Sequence, residues 1–181
     1  MVIRAASLGG MNMLGLRATA LAVLSLLFVY GSGLHAAEVS PFLGIQATGS
    51  GEGYTLKIGD KVLSLAEVQA MQTYQSTLKT AFNLEGTFVG VKLLDVLQQA
   101  GIGDFKRLFV RAANDYKVTV SPSDPGIDQA LLAYSLNGKL LPLNDKGPYW
   151  LIWPQNAEAV LSGDAATTKW SWSVVEIQKI F

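Results

Sequence analysis

Polar chemistry gathers on short spacing at two points of this chain, Asp124 and Asp128 around Pro125-Gly126, and the run Asn114-Asp115-Tyr116. The two aspartates make either a carboxylate pair or a solvated turn. The triplet offers an acid and a phenol, and reads equally as turn chemistry followed by a strand aromatic. Trp150, Trp153, Trp170 and Trp172 fall on two expected strands, as the wall of an aromatic cleft or as core packing. Lys57, Lys61 and Lys79 are scattered and read as solvent-facing. The chain has no cysteine, and its one histidine is His35. If His35 is removed with a leader, the soft and imidazole ligands of zinc, copper, haem and iron–sulfur sites are missing. Ser-His-Asp and Cys-His catalysis go with them, leaving carboxylate, hydroxyl, phenol, amine and guanidinium groups. Redox work on that inventory requires a bound cofactor to carry it.

The elements that must position these groups are mostly strands. Residues 54–58 and 61–63 read as a hairpin about Gly59-Asp60. Ser64-Leu65-Ala66-Glu67 is a capping box that predicts a short helix to about Gln72, and a strand follows over 75–82. Gly86 and Gly90 read as punctuation before a helix on Val91, Leu93, Leu94, Val96 and Leu97 that stops at Ala100-Gly101. Strands are expected over 105–112 and 116–121, a turn or short helical segment over 122–128, and strands over 148–153 and 170–180. Asn137-Gly138, between strands at 130–136 and 139–143, is the strongest hairpin signal in the chain. The pattern predicts an α+β fold, β-rich and mixed, with a mostly antiparallel sheet and two short helices.

Residues 1–17 carry two arginines and no acid, 18–30 are uncharged and apolar, and 31–37 end in small residues. This is the pattern of a signal peptide over 1–36, followed by a flexible Gly- and Ser-rich lead-in over 37–53 and a domain over 54–181. The apolar run is about a dozen residues, shorter than the roughly 20 of a spanning helix. The expected product is periplasmic or secreted, with no transmembrane span after cleavage; an uncleaved anchor is the alternative. Without a cysteine after the run, lipoprotein attachment is excluded. Loss of Arg4 and Arg17 leaves 12 basic against 14 acidic residues, a net charge of −2. No basic stripe is present, which argues against nucleic acid as a partner.

The stretch 131–154, LLAYSLNGKLLPLNDKGPYWLIWP, followed by Lys169-Trp170, resembles the molybdopterin-binding domain of the sulfite oxidase family. That family has an LLAY-x-x-NG-x-x-LP strand-turn-strand, a Gly-Pro strand and a Lys-Trp pair. The resemblance covers roughly 54–181 and implies a mixed, β-rich fold with a molybdenum cofactor. The family's Cys-x-x-Asn, followed by Gly-Val-x-Leu-x-Asp-Leu-Leu, aligns with Thr80 to Asn83 and with Gly90 to Leu97. Thr80 then stands where the metal-binding cysteine would be and Asn83 is kept. A threonine alkoxide is far harder to form than a thiolate, so this position supplies no ordinary molybdenum ligand.

Around the Gly-Pro strand the family holds its pterin phosphate with a His and an Arg, assisted by the Lys before Trp. Here Lys146 stands near the histidine position, Trp150 near the arginine, and Lys169 precedes Trp170. The bidentate arginine fork is therefore lost. The resemblance also brings Asp115 and Tyr116 near the pocket. A cofactor-carrying protein is expected to be exported folded, behind a twin-arginine signal, and Arg4 and Arg17 stand apart. Two readings follow. One is an exported module without a working molybdenum site, in which the cleft holds a small anionic or aromatic ligand or a periplasmic or membrane partner protein. The other is a molybdopterin-dependent oxidoreductase with an unconventional, cysteine-free metal site.

Overall fold

The computed structural model describes residues 36–180. The expected signal peptide, but for its last residue, and His35 lie outside the described residues. In chain order the elements are β1 (Ser40–Pro41), β2 (Thr55–Ile58), β3 (Lys61–Ser64), α1 (Leu65–Gln69), β4 (Tyr74–Lys79), β5 (Glu85–Lys92), α2 (Leu93–Gln99), β6 (Arg107–Ala112), β7 (Lys117–Val120), β8 (Leu131–Leu136), β9 (Lys139–Leu140), β10 (Trp150–Ile152), α3 (Ala157–Ser162) and β11 (Val174–Ile180). They form two sheets, ordered β1-β4-β5-β8-β10 with β9 on β8, and β3-β2-β11-β6-β7. Every named pair is antiparallel except β11 with β2, so the fold is α+β with mostly antiparallel sheets. Among the described residues, no helix is long and apolar enough to cross a membrane.

Local signals act where they were expected. Ser64 Oγ accepts from Glu67 N at 3.3 Å, and Glu67 Oε2 accepts from Ser64 N at 2.8 Å, so both halves of the capping box are made. Helix α1 nevertheless ends at Gln69, because Thr73 is drawn into pairing with the lead-in, its carbonyl accepting from Phe42 N at 2.9 Å. Asn137 and Gly138 hold φ of 50° and 75°, the left-handed pair that a two-residue hairpin demands.

Three expectations are corrected. Gly86 and Gly90 do not punctuate the chain but lie inside β5, which pairs with β4 on one side and β8 on the other. At Gly90 the register against β8 shifts, and a Cβ would overlap the Leu132 carbonyl oxygen and the Ala133 Cα. Glycine within a strand here marks a bulge and a close backbone approach. The last strand begins at Val174 rather than Trp170; Trp170 to Ser173 form a loop, with Ser173 at φ 53°. A third helix, α3, buries Ala157 and Val160 and closes on left-handed Gly163, where two helices were expected.

The lead-in is partly docked. Ser40 and Pro41 pair with Gln75 and Tyr74, Gln46 donates to Thr73 Oγ1 at 3.0 Å and Ala47 is buried, while Leu43 and Ile45 stay exposed. One contiguous apolar core draws on both sheets, from Leu56, Ile58, Leu108 and Val110 to Phe88, Val91, Leu132 and Trp150. Three phenols stand in it, Tyr54, Tyr134 and Tyr149. Burial raises all three above the ordinary tyrosine range, Tyr134 to about 12, so they stay protonated at neutral pH. Tyr54 Oη donates to the Leu141 carbonyl and Tyr134 Oη to Gln46 Oε1, each phenol serving as a strut.

Across the second sheet, Glu176 on β11 joins its neighbours through charge. Its carboxylate meets Lys57 Nζ of β2 at 2.9 Å and Arg111 Nε of β6 at 2.7 Å. The hydrogen bonds from Lys57 and Arg111 hold Glu176 below the ordinary carboxylate range, more than offsetting the upward push of partial burial. A carboxyl whose folded pKa is depressed stabilises the fold above its unfolded pKa and loses that contribution as pH falls through the folded value. Glu176→Gln should therefore cost about 1–2 kcal/mol at about pH 7, discounted because Lys57 is half exposed. The difference from the parent should shrink as pH falls below the ordinary carboxylate range and through the lower folded value, as read by denaturant unfolding across that range.

Candidate functional site

An open cleft of about 290 Å³ lies where three chain segments converge. The turn after β4 brings Phe82, the β6–β7 turn brings Asn114 and Tyr116, and the stretch ahead of β11 brings Thr167, Thr168, Trp170, Ser171 and Trp172. No charged side chain lines it.

The first segment is built by Thr80. This residue is 1% exposed; its Oγ1 donates to Leu84 O at 3.0 Å and accepts from Phe82 N and Leu84 N at 3.3 and 3.2 Å. Its own amide also donates to Leu84 O, at 2.8 Å. Asn83 is exposed and takes the left-handed position of that turn at φ 58°, a conformation Asn tolerates better than most residues. Thr80 and Asn83 thus serve as the two structural residues of a turn that aims Phe82, and neither lines the cleft.

Phe82 sits edge-on to Trp172 with ring centroids 4.9 Å apart, and tilted against Trp150 at 5.8 Å. Trp150 is fully buried and meets Trp172 at 6.4 Å and Phe88 at 5.6 Å, both near perpendicular. These are the edge-to-face arrangements that aromatic quadrupoles favour. Trp150 is therefore the floor beneath the cleft rather than its lining. Trp170 is 3% exposed and Trp172 39%, so one indole forms a wall and the other the rim. Trp153 is buried away from the cleft, with Nε1 donating to Lys169 O at 2.8 Å.

The second segment is held by side-chain bonds to backbone. Asn114 Oδ1 accepts from Tyr116 N at 3.2 Å, and Tyr116 Oη donates to Thr168 O at 3.2 Å, tying the β6–β7 turn to the far wall. Asp115, at φ 65°, turns out of the cleft and pairs with Arg111 at 3.1 Å.

Neither lysine lines the cleft. Lys146 Nζ lies 5.9 Å from the ring centroids of both Trp150 and Trp172 and is held by Asp145 Oδ1 at 2.7 Å. Lys169 is ion-paired with Asp124 and borders a separate cavity of about 300 Å³ with Pro125, Trp153 and Asn156. The two cations are thus kept apart, each with its own carboxylate. Asp124 and Asp128 do not converge as a pair: Asp124 accepts from Ser121 N at 2.9 Å and meets Lys169, while Asp128 accepts from Gln129. Among the described residues, no three His, Cys, Asp or Glu side chains come together as a metal could require.

Of the residues singled out in the sequence, Asn114, Tyr116, Trp170 and Trp172 come together in the lining, Trp150 and Lys146 pack below and beside it, and Thr80, Asn83, Asp115 and Lys169 do not reach it. Phe82, Thr167, Thr168 and Ser171 carried no distinguishing signal.

Among solved structures, the chain is similar to the sulfane dehydrogenase SoxCD from Paracoccus pantotrophus, with a TM-score of 0.55 and 20% sequence identity. The match covers 73% of this chain and 39% of that one. No family model matches the chain, and no curated protein matches its sequence. At this identity the likeness is one of fold: the chain shares the architecture of part of an oxidoreductase and spans well under half its length.

The role of Thr80 as a brace generates a stability prediction. Thr80→Val keeps the shape but leaves the Phe82 and Leu84 amides without their acceptor, and should destabilise the fold by about 1–2 kcal/mol. Thr80→Ser should recover most of that loss, as measured by equilibrium unfolding.

Proposed function

We propose that this protein is an exported binding module that uses a sulfite-oxidase-like molybdopterin-domain fold without molybdenum cofactor, and that its cleft takes a small uncharged aromatic group. The observation that carries the reading is the cleft itself: Phe82, Tyr116, Trp170 and Trp172 surround a cavity of about 290 Å³ whose lining bears no charge. Aromatic walls with a few polar groups suit a flat ring, which gains dispersion and edge-to-face contact there. An anionic ligand finds no cation in that lining: neither Lys146 nor Lys169 reaches it, and each is paired with an aspartate, Asp145 and Asp124.

The residues present do not fit a molybdenum cofactor held in the family's manner. The hydroxyl of Thr80 is occupied by three backbone contacts and withdrawn from solvent. Trp150, near the position of a phosphate-binding arginine, is enclosed by Phe82, Phe88 and Trp172. The second reading, an oxidoreductase with a cysteine-free metal site, is favoured by one observation, the fold likeness to a sulfane dehydrogenase.

Protein purified from its exported fraction decides between them. Under the binding-module reading it contains no stoichiometric molybdenum and no pterin fluorescence after oxidation. It binds indole in an NMR titration with shifts centred on Phe82, Tyr116 and Trp170. Trp172→Ala weakens that binding by about tenfold, the loss of one good aromatic contact. One molybdenum per chain, or no indole binding at all, overturns the proposal.

A further inference from the structure

We infer that the ring bound in this cleft carries a neutral hydrogen-bond acceptor, of the exocyclic carbonyl kind found in heteroaromatic amides, and that Ser171 is the residue that reads it. This rests on the aromatic-cleft reading and narrows it to a ligand class.

Ser171 lines the cleft between Trp170 and Trp172, is 1% exposed, and its Oγ has no hydrogen-bond partner in the protein. Buried hydroxyls are almost always partnered, because a lost hydration shell with no replacement bond is costly. The backbone explains why the group stays put: Ser171 O accepts from Leu151 N at 2.8 Å, pinning the residue to β10. A serine that lines the cleft, is held in place by its main chain and has a hydroxyl without a partner in the protein is a polar contact left for a ligand. Trp150 Nε1 is also buried without a partner, but Phe82, Phe88 and Trp172 enclose that ring and it does not line the cleft.

The other polar groups agree on the sign of the partner. Asn114 Oδ1 is taken by Tyr116 N and the Thr168 carbonyl by Tyr116 Oη, so both of these acceptors are already engaged. What the lining offers is the Asn114 amide NH2, which only donates, and the hydroxyls of Ser171, Thr167 and Thr168, which donate or accept. With its fixed acceptors taken and no cation present, such a lining fits a neutral carbonyl or ring nitrogen better than a carboxylate, whose desolvation nothing here would offset. A volume at the small end of ligand sites limits the occupant to one ring or a fused pair.

The test compares nicotinamide, nicotinate and indole as probes on the exported protein, by NMR or calorimetric titration. Nicotinamide should bind about tenfold more tightly than nicotinate, which carries a charged carboxylate in place of the neutral carboxamide. In Ser171→Ala the ratio of nicotinamide to indole affinity should fall by about three- to tenfold, the value of one hydrogen bond. The same variant should keep or raise the melting temperature of the unliganded protein, because it removes an unpartnered buried hydroxyl. Nicotinate binding as well as nicotinamide, an unchanged ratio in Ser171→Ala, or a lower melting temperature would each overturn the assignment of Ser171. Failure of indole as well as nicotinamide would instead remove the aromatic-cleft reading on which it stands.

Discussion

At Gly90 the backbone of β5 passes so close to β8 that no side chain fits between them, and the aromatic layer takes its position from that approach. The bulge shifts register so that Phe88 falls opposite Leu136 while Gly90 falls opposite Ala133, and β10 pairs Trp150 with that same Ala133. Phe88 and Trp150 then meet edge to face, with Phe82 and Trp172 packed edge-on to each other beyond them. A larger residue at position 90 would push β5 from β8 and move the first ring of this series. The hairpin next to it shares the constraint, since Asn137 Oδ1 accepts from Thr87 N at 2.9 Å and its amide donates back to Thr87 O.

On this rigid floor the cleft is assembled from turns and loops. Thr80 closes one turn on itself, Asn114 and Tyr116 close another against Thr168, and Trp153 anchors the Lys169 carbonyl. Each is a side chain satisfying backbone groups that no sheet ladder reaches, which lets irregular segments sit beside a core at small cost. The consequence for chemistry is that most polar groups near the cleft are already engaged. The Ser171 hydroxyl and the Trp150 indole N–H are buried there without a partner. Charge is disposed in the same way: carboxylates hold Lys146, Lys169 and Arg111, and the cleft is left to aromatic surface and neutral donors.

The elements legible in the sequence were those made by neighbours. The Ser64–Glu67 capping box, the Asn137-Gly138 turn and the hairpin about Gly59-Asp60 depend on contacts within a few residues, and all three form. Strand β5 was obscured because Gly86 and Gly90 look like breakers in isolation; their reason for being glycine lies across the sheet, at Asn137, Leu132 and Ala133. The end of the chain misled for a similar reason. Trp170 to Ser173 have the composition of a strand, but Leu151 N bonds to Ser171 O and Ser173 N to Lys146 O, and those long-range bonds hold the segment as a loop.

What the sequence determined alone was the inventory: no cysteine anywhere, no histidine beyond position 35, and aromatic and hydroxyl side chains in their place. Composition bounds chemistry because no fold can supply a thiolate or an imidazole that the chain lacks. The tertiary structure decided which of those groups remain free to act. Thr80, Lys146 and Lys169 look alike available on paper, yet one is consumed by its own turn and two by neighbouring or distant aspartates. Trp150 and Trp172 look equivalent, yet one is floor and the other rim. Burial and hydrogen-bond partnership arise between residues far apart in sequence, so they separate side chains that local pattern treats as the same.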